Sequence, residues 1–326
     1  MKVLVVKLSS MGDVIHTLPA VSDAAAAIPE LSVDWVVEEA FAEIPAWHPA
    51  VEQVLPVALR RWRKRPLRSL LGAEWRAARR AIAACDYDAV IDAQGLIKSA
   101  LVARYARGPR YGMDRHSARE PLAARAYQHP IEVPRDRHAA ERLRYLFAAA
   151  LGYELPQGPG DFALAGNVEP GAILKQTLLF FHGSARAEKL WPVEHWIALA
   201  KLATAGRFQV LLPWGDQRER ERAEEIARAA GEGVEVLPEQ TLAELARHIT
   251  VAWGYVGVDT GLGHLAAALN LPGVSLYGST RPGIVGTYGA GQVHLTAAEK
   301  RDGDTADIQP DRVWRELYAL VTGETD

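Results

Sequence analysis

The run Val3 to Val6 is short and wholly apolar, and it breaks into the turn residues Leu8 to Gly12 before a helical pattern begins near Val14. A strand, a tight turn and a helix in that order are the opening of an open α/β sheet, and the carboxyl end of such a strand is where ligands sit. The turn delivers one carboxylate, Asp13, beside Gly12 and close to Ser9, Ser10 and His16. At that place Asp13 reads either as a general base or as a helix cap, since Asp is among the best N-cap residues.

The same alternation continues. In the first half, strands are predicted at 3–7, 32–37, 54–58 and 88–93, and helices at 14–27, 41–47, 69–84 and 139–151. Strands separated by helices make a parallel sheet with its ligand loops along one edge. LPQGPGDFALAGNVEPGA, rich in Pro and Gly and short of periodic apolar positions, reads as the interdomain linker. The second half repeats the scheme, with strands at 177–181, 208–212, 234–237, 251–258 and 273–277. Helices there are predicted at 193–204, 217–230, 241–248, 262–269 and 310–322. At 326 residues the chain is long enough for two domains of about 150 residues. Two doubly wound parallel sheets facing a central cleft suit an enzyme that joins two substrates.

Composition narrows the class. No run approaches the ~18 apolar residues of a membrane span, and the start lacks a signal-peptide core, so a cytoplasmic protein is expected. A single cysteine, Cys85, excludes an intrachain disulfide and a thiolate metal cage, and it reads as a helix-end packing residue. The net charge of -3 hides an asymmetry: residues 1–160 carry 22 Lys and Arg against 18 Asp and Glu, a balance of +4, and residues 161–326 carry 15 against 22, a balance of -7. The positive half suits an anionic acceptor or a membrane surface.

Several loops carry chemistry at the expected sheet edges. HGSARAEKLWPVEHW follows the strand at 177–181 and places Ser184, Arg186 and Lys189 before Pro192 at a helix start, a loop suited to an anion. Trp191 and Trp196 in it read as packing residues. VGVDTGLGHLAAAL sets Asp259, Thr260, Gly261, Gly263 and His264 between a strand and a helix, where glycines let the backbone approach a diphosphate and helix amides attract its charge. Its match to a dinucleotide fingerprint is incomplete, because no Asp or Glu stands about 20 residues on. Glu219, at the start of a charged helix, reads as a ribose acceptor or as a carboxylate stabilised by the helix dipole. LRRWRKRPLR packs six basic residues between Arg60 and Arg68, suited to phosphate or lipid head groups, or left as a solvated loop. DAQGLIKSA adds Gln94, Gly95 and Lys98 at the edge that carries Asp13, and SAREP adds Arg119 and Glu120.

KLSSMGDVIHTLPA, DWVVEEAF, RRWRK, YDAVIDAQGLIKSA, AREPLA, KLWPVEHW, LPWG and VDTGLGHLAAAL, in this order over nearly the whole chain, resemble the ADP-heptose:lipopolysaccharide heptosyltransferases of the GT-B fold. RRWRK and the tryptophan of DWVVEEAF point to the type I branch. The resemblance implies inverting transfer of heptose from ADP-heptose to the Kdo sugar of Kdo-lipid A, with Asp13 as the base. It implies donor contacts from Ser184, Ala185, Lys189, Glu219, Gln240, Asp259, Thr260, Gly261 and His264. Acceptor contacts fall to Arg60, Arg61, Arg63, Lys64, Gln94, Lys98 and Arg119. Two positions depart from the family: Ala185 stands where a second hydroxyl is frequent, and Gln240 where an apolar adenine contact is usual. The domains expected are 1–160 for the acceptor, 161–309 for ADP-heptose, and a final helix within 310–326 that packs back on the first domain. No carboxylate cluster or His/Cys array marks a metal site, so metal-independent transfer without a cofactor is expected, by a protein peripheral to the cytoplasmic face of the inner membrane. The rival readings are transfer to a heptose acceptor as in the type II branch, a nucleotide-sugar epimerase, an oxidoreductase, and a nucleic-acid module using the Arg60 block, whereas the reading preferred here has no nucleic-acid partner.

Overall fold

The computed structural model describes residues 1–63, 72–172, 176–278, 280–297 and 304–324. The chain divides into two compact units, Met1–Ala163 and Leu164–Asp326. Unit 1 is built on β1 Lys2–Val6, β2 Ser32–Glu38, β3 Val51–Val57, β4 Ala89–Asp92, β5 Arg110–Met113 and β6 His129–Ile131. These pair in the order β3-β2-β1-β4-β5-β6, every neighbour parallel. Unit 2 is built on β7 Thr177–Phe181, β8 Gln209–Leu212, β9 Val234–Val236, β10 Gly254–Val258, β11 Gly273–Tyr277 and β12 Gln292–Thr296. Their order, β12-β11-β10-β7-β8-β9, is that of unit 1 when counted from the unit's own first strand, and all its pairs are parallel too.

Strands covered on both faces must be apolar on both, and the two central strands of each sheet are so except at the terminal residues Lys2, Asp92 and Thr177. Val3 to Val6 register against Val33 to Val36 on one side and Ala89 to Asp92 on the other, and Val3 to Val6 are buried. In unit 2 Leu178, Phe180, Val256, Val258 and Val274 share a core with Trp191 and Trp196, both fully buried, so the two tryptophans are packing residues as expected. Cys85 packs at the edge of the unit 1 core just after helix Ala73–Ile82. Among the described residues no helix is long and apolar enough to cross a membrane.

Several elements differ from expectation for local reasons. The helix expected at 14–27 is two, Met11–Ile15 and Leu18–Ala27, because Pro19 in the first turn of the second has no N–H to continue the first. The strand expected from 251 starts at Gly254, since helix Leu242–Val251 keeps Val251. Helix Ile97–Ala103 and strands β5, β6 and β12 were not expected. The final helix, Pro310–Thr322, packs within unit 2, where Val313 and Leu317 join its core.

The Pro/Gly-rich stretch is held rather than loose. Phe162 and Leu164 are buried, and the Arg144 guanidinium donates to the carbonyls of Pro156 at 3.1 Å and Gly158 at 2.7 Å. Arg144 is itself buried and pairs with Asp23 at 2.6 Å and Glu141 at 3.0 Å. Removing one partner of a buried pair strands the other, so Arg144→Met should destabilise unit 1 by about 3–5 kcal/mol, read as a lower urea midpoint.

Candidate active site

In each sheet the strand order reverses beside the unit's first strand, between β1 and β4 and between β7 and β10. Loops leaving two such strands diverge, and the crevice between their carboxyl ends is the general ligand position of open α/β sheets. Most of the residues singled out from the sequence gather at these two crevices.

In unit 1, β1 runs into Lys7, and Ser10 is the N-cap of helix Met11–Ile15 with Asp13 in its first turn. Asp13 Oδ2 accepts from the Ser10 backbone N–H at 2.7 Å and the Ser10 hydroxyl at 2.9 Å, while Oδ1 lies 4.0 Å from Lys7 Nζ. One oxygen thus caps the helix turn, and the side chain keeps 36% of its surface open. Burial opposes ionisation of Asp13, but the Lys7 charge, both Ser10 hydrogen bonds and Arg119 outweigh it and hold the carboxyl below the ordinary aspartate value. Lys7 is buried, donates to the Ala93 carbonyl at 2.8 Å, and has its pKa pushed down by that burial against the pull of Asp13 and Asp92. Sequence reasoning passed over Lys7. Its signal was a charge closing an otherwise apolar strand.

Across the crevice, β4 ends in the buried Asp92, which accepts from the N–H groups of Gln94 at 2.9 Å and Gly95 at 3.2 Å, the Ser99 hydroxyl at 2.9 Å and the Tyr127 phenol at 2.7 Å. Gly95 turns with φ +67°, a left-handed conformation that glycine adopts without strain. Gln94 then bridges to the β1 loop: Oε1 accepts from Leu8 N–H at 3.0 Å and Ser9 N–H at 3.1 Å, and Nε2 donates to the Ser9 carbonyl at 2.6 Å. Both ends of this amide are therefore used in bracing the loop that carries Asp13. Lys98 Nζ reaches the Ser9 hydroxyl at 3.3 Å, and exposed Arg119 acts on the charges of both Asp13 and Lys7.

The basic segment begins as helix Leu59–Trp62. Arg61 is engaged by Glu39 at 3.1 Å and Glu74 at 2.9 Å, carboxylates distant in sequence. The Arg60 guanidinium lies 5.2 Å from the Phe41 ring centroid, and Arg63 is exposed. Lys64, Arg65 and Arg68 lie outside the described residues.

In unit 2, β7 leads through His182 and Gly183 to Ser184, Ala185 and the 3-10 turn Ala187–Lys189. β10 leads to Asp259, then Thr260 as N-cap and Gly261 as first residue of helix Gly261–Ala268, whose His264 is buried. Lys189 Nζ meets Asp259 Oδ2 at 2.5 Å and ties the two loops together, with the Ser184 hydroxyl 3.5 Å from the Asp259 carbonyl. Glu219, in the first turn of helix Gln217–Ala230 after β8, accepts from Gly215 N–H at 2.8 Å. A side chain at position 183 would collide with the Glu219 carboxylate, so Gly183 lets that carboxylate sit against the β7 loop. Burial raises the Glu219 carboxyl above the ordinary glutamate value, against the Gly215 hydrogen bond and with Asp216 adding to it. Gln240 follows β9, the outer strand on that side.

Residues 75–309 match the profile of glycosyltransferase family 9 (heptosyltransferase). The chain belongs to that family. Lipopolysaccharide heptosyltransferase 1 of Pseudomonas aeruginosa is 52% identical over 300 residues, covering 90% of this chain and 83% of the relative. The structure of E. coli heptosyltransferase WaaC with ADP superposes with a TM-score of 0.93 at 45% identity, covering 98% of this chain and 100% of that chain. Lipopolysaccharide heptosyltransferase 2 of Salmonella typhimurium is 32% identical over 153 residues, 42% of this chain and 44% of the relative. The likeness to the type 1 enzymes is thus both higher and longer, and the two-sheet architecture is that of a GT-B glycosyltransferase.

Within this family 9 enzyme, Lys7 gives a direct test of the unit 1 electrostatics. Removing a positive charge beside a carboxylate raises its pKa, so Lys7→Met should move the Asp13 titration, followed by carbon-detected NMR, to higher pH. A titration left in place would reduce Lys7 to a packing residue.

Proposed function

We propose that the enzyme transfers the heptose of ADP-heptose, with inversion, to the Kdo of Kdo-lipid A during assembly of the lipopolysaccharide core. The observation that carries the reading is the Asp13 carboxylate, ionised, partly open and braced at the β1/β4 crevice, in a chain whose whole-length relatives are heptosyltransferases of type 1. A Kdo hydroxyl would give its proton to Asp13 as its oxygen forms a bond to the anomeric carbon. The bond from that carbon to the diphosphate breaks on the opposite face, and the electron pair leaves with ADP. Lys189 and the free amides at the start of helix Gly261–Ala268 would take up the charge on the leaving diphosphate, in the manner of a preorganised anion site. Ser184 and Ala185 would line the phosphate loop through backbone amides. Glu219 would take the ribose hydroxyls, Gln240 the base, and Asp259, Thr260, Gly261 and His264 the phosphate and sugar side. Arg60, Arg63, Lys64, Lys98 and Arg119 would meet the carboxylates and phosphates of the acceptor, with Arg61 drawn in only at the expense of its bonds to Glu39 and Glu74. Such an acceptor would place the enzyme at the cytoplasmic face of the inner membrane, where among the described residues no helix is long and apolar enough to cross it, and the reaction as written would call on no cofactor.

Asp13→Asn should keep the fold and ADP binding while lowering turnover by about two to four orders of magnitude in an assay with ADP-heptose and Kdo-lipid A. Turnover near that of the wild type would leave Asp13 as a helix cap alone. Lys189→Ala should weaken ADP binding by about 1.5–3 kcal/mol in calorimetry, the scale of a charge-assisted hydrogen bond to phosphate. Asp259 would add to that loss, because without Lys189 its carboxylate faces the diphosphate unneutralised.

A further inference from the structure

Helix Ile97–Ala103 and the 3-10 segment Pro121–Ala126 lie fastened side by side in unit 1. The Ile97 N–H donates to Glu120 Oε2 at 2.6 Å, the Glu120 N–H donates to the Gly95 carbonyl at 3.1 Å, and Ala100, Ala123 and Tyr127 form a small core between them. Ser99, Val102 and Ala103 are buried. Left outside are Ile97 and Leu101, one turn apart on the same helix face, and Leu122 next to Ala123, with exposures of 41%, 53% and 57%. Single exposed aliphatic side chains are ordinary, but three on two touching elements mark a surface with a use.

The surroundings are cationic. Lys98, Arg104, Arg119 and Arg125 are exposed, and among the described residues no carboxylate lies within ion-pairing distance of them. Arg104 continues the stripe of Ile97 and Leu101 by one further turn.

We propose that this face docks unit 1 on a membrane, its occupant being the headgroup and upper acyl layer of an anionic phospholipid bilayer. The proposal rests on the lipid-anchored acceptor read above. Aliphatic tips ringed by basic side chains match that boundary, since the tips enter the apolar layer while the cations meet phosphate. Position supports the same occupant. Lys98 on this helix reaches the Ser9 hydroxyl, and the next residue, Ser10, holds Asp13. A bilayer met by Ile97 and Leu101 brings its phosphate layer to the loop that carries the base, which is where a sugar close to its lipid anchor has to be presented.

The test sediments the full chain with vesicles of phosphatidylethanolamine and phosphatidylglycerol, and separately with vesicles of phosphatidylcholine alone. Wild type is compared with the pair Leu101→Gln and Leu122→Gln and with the pair Arg104→Gln and Arg125→Gln, all exposed positions, with melting curves confirming the fold. Wild type should bind the anionic vesicles. The leucine pair should lower the partition coefficient about ten- to a hundredfold, the scale of withdrawing the exposed half of two aliphatic side chains from an apolar phase. The arginine pair should lower it about fivefold per charge removed, on anionic vesicles only. Transfer to a delipidated, water-soluble acceptor should be unchanged in both variants, while transfer to an acceptor embedded in vesicles falls. Variants that bind vesicles like the wild type overturn the proposal, and so does self-association of the chain that the leucine pair dissolves without any vesicle binding. Should the wild type use neither form of the acceptor while vesicle binding follows the expected pattern, the docking face stands and the acceptor reading fails.

Discussion

Parallel hydrogen bonding with a reversal of strand order is the constraint on which both units depend. A parallel strand cannot be followed by a hairpin, so each connection crosses the sheet and every strand delivers its carboxyl end to the same edge. Where the order reverses, at β1 and β4 and again at β7 and β10, two loops part and leave backbone groups unpaired by the sheet. The protein uses those openings differently from the way it uses the rest of the edge. In unit 1 the buried Asp92 gathers four donors, two of them from its own loop, and Gln94 passes the restraint to Leu8 and Ser9. A carboxylate placed that deep is tolerable only because its acceptor capacity is met by hydrogen bonds, and such a network fixes a loop more firmly than apolar packing does. Asp13 is therefore held in place at two removes, through a residue that never touches it.

How far the sequence is legible follows the strength of each local pattern. β1, β7, β10 and β11 are buried at every or nearly every position, and runs of that kind announce themselves. β5 carries Arg110 and Gly112, β6 is His129, Pro130 and Ile131, and β12 mixes Gln292 and His294 with its apolar residues. These strands lie toward or at sheet edges, where one side needs no apolar cover, so tertiary pairing defines them and composition does not. The site follows the same rule. Residues in the loops that follow a legible strand, such as Asp13, Lys189 and Asp259, can be set at the sheet edge from sequence because the strand end locates the loop. The engagement of Arg61 by Glu39 and Glu74 was not legible, since nothing in RRWRK names partners brought near by folding. Lys7 was legible and passed over, being read as the last residue of a strand.

The two crevices answer one another in charge. Each contains a lysine and an aspartate, Lys7 with Asp13 and Lys189 with Asp259, but the order of exposure is reversed. In unit 1 the lysine side chain is 7% exposed behind an aspartate at 36%, so solvent and any ligand meet a carboxylate. In unit 2 the lysine is 22% exposed and the aspartate 11%, so a ligand meets the cation first. A buried lysine lowers the pKa of the aspartate in front of it, which keeps that carboxylate ionised. An aspartate set behind a lysine anchors that cation without cancelling it, so the cation stays open to an anion. On the same topology the same pair of residue types thus turns a carboxylate outward in one unit and a cation outward in the other, and the difference lies in which partner the strand end buries.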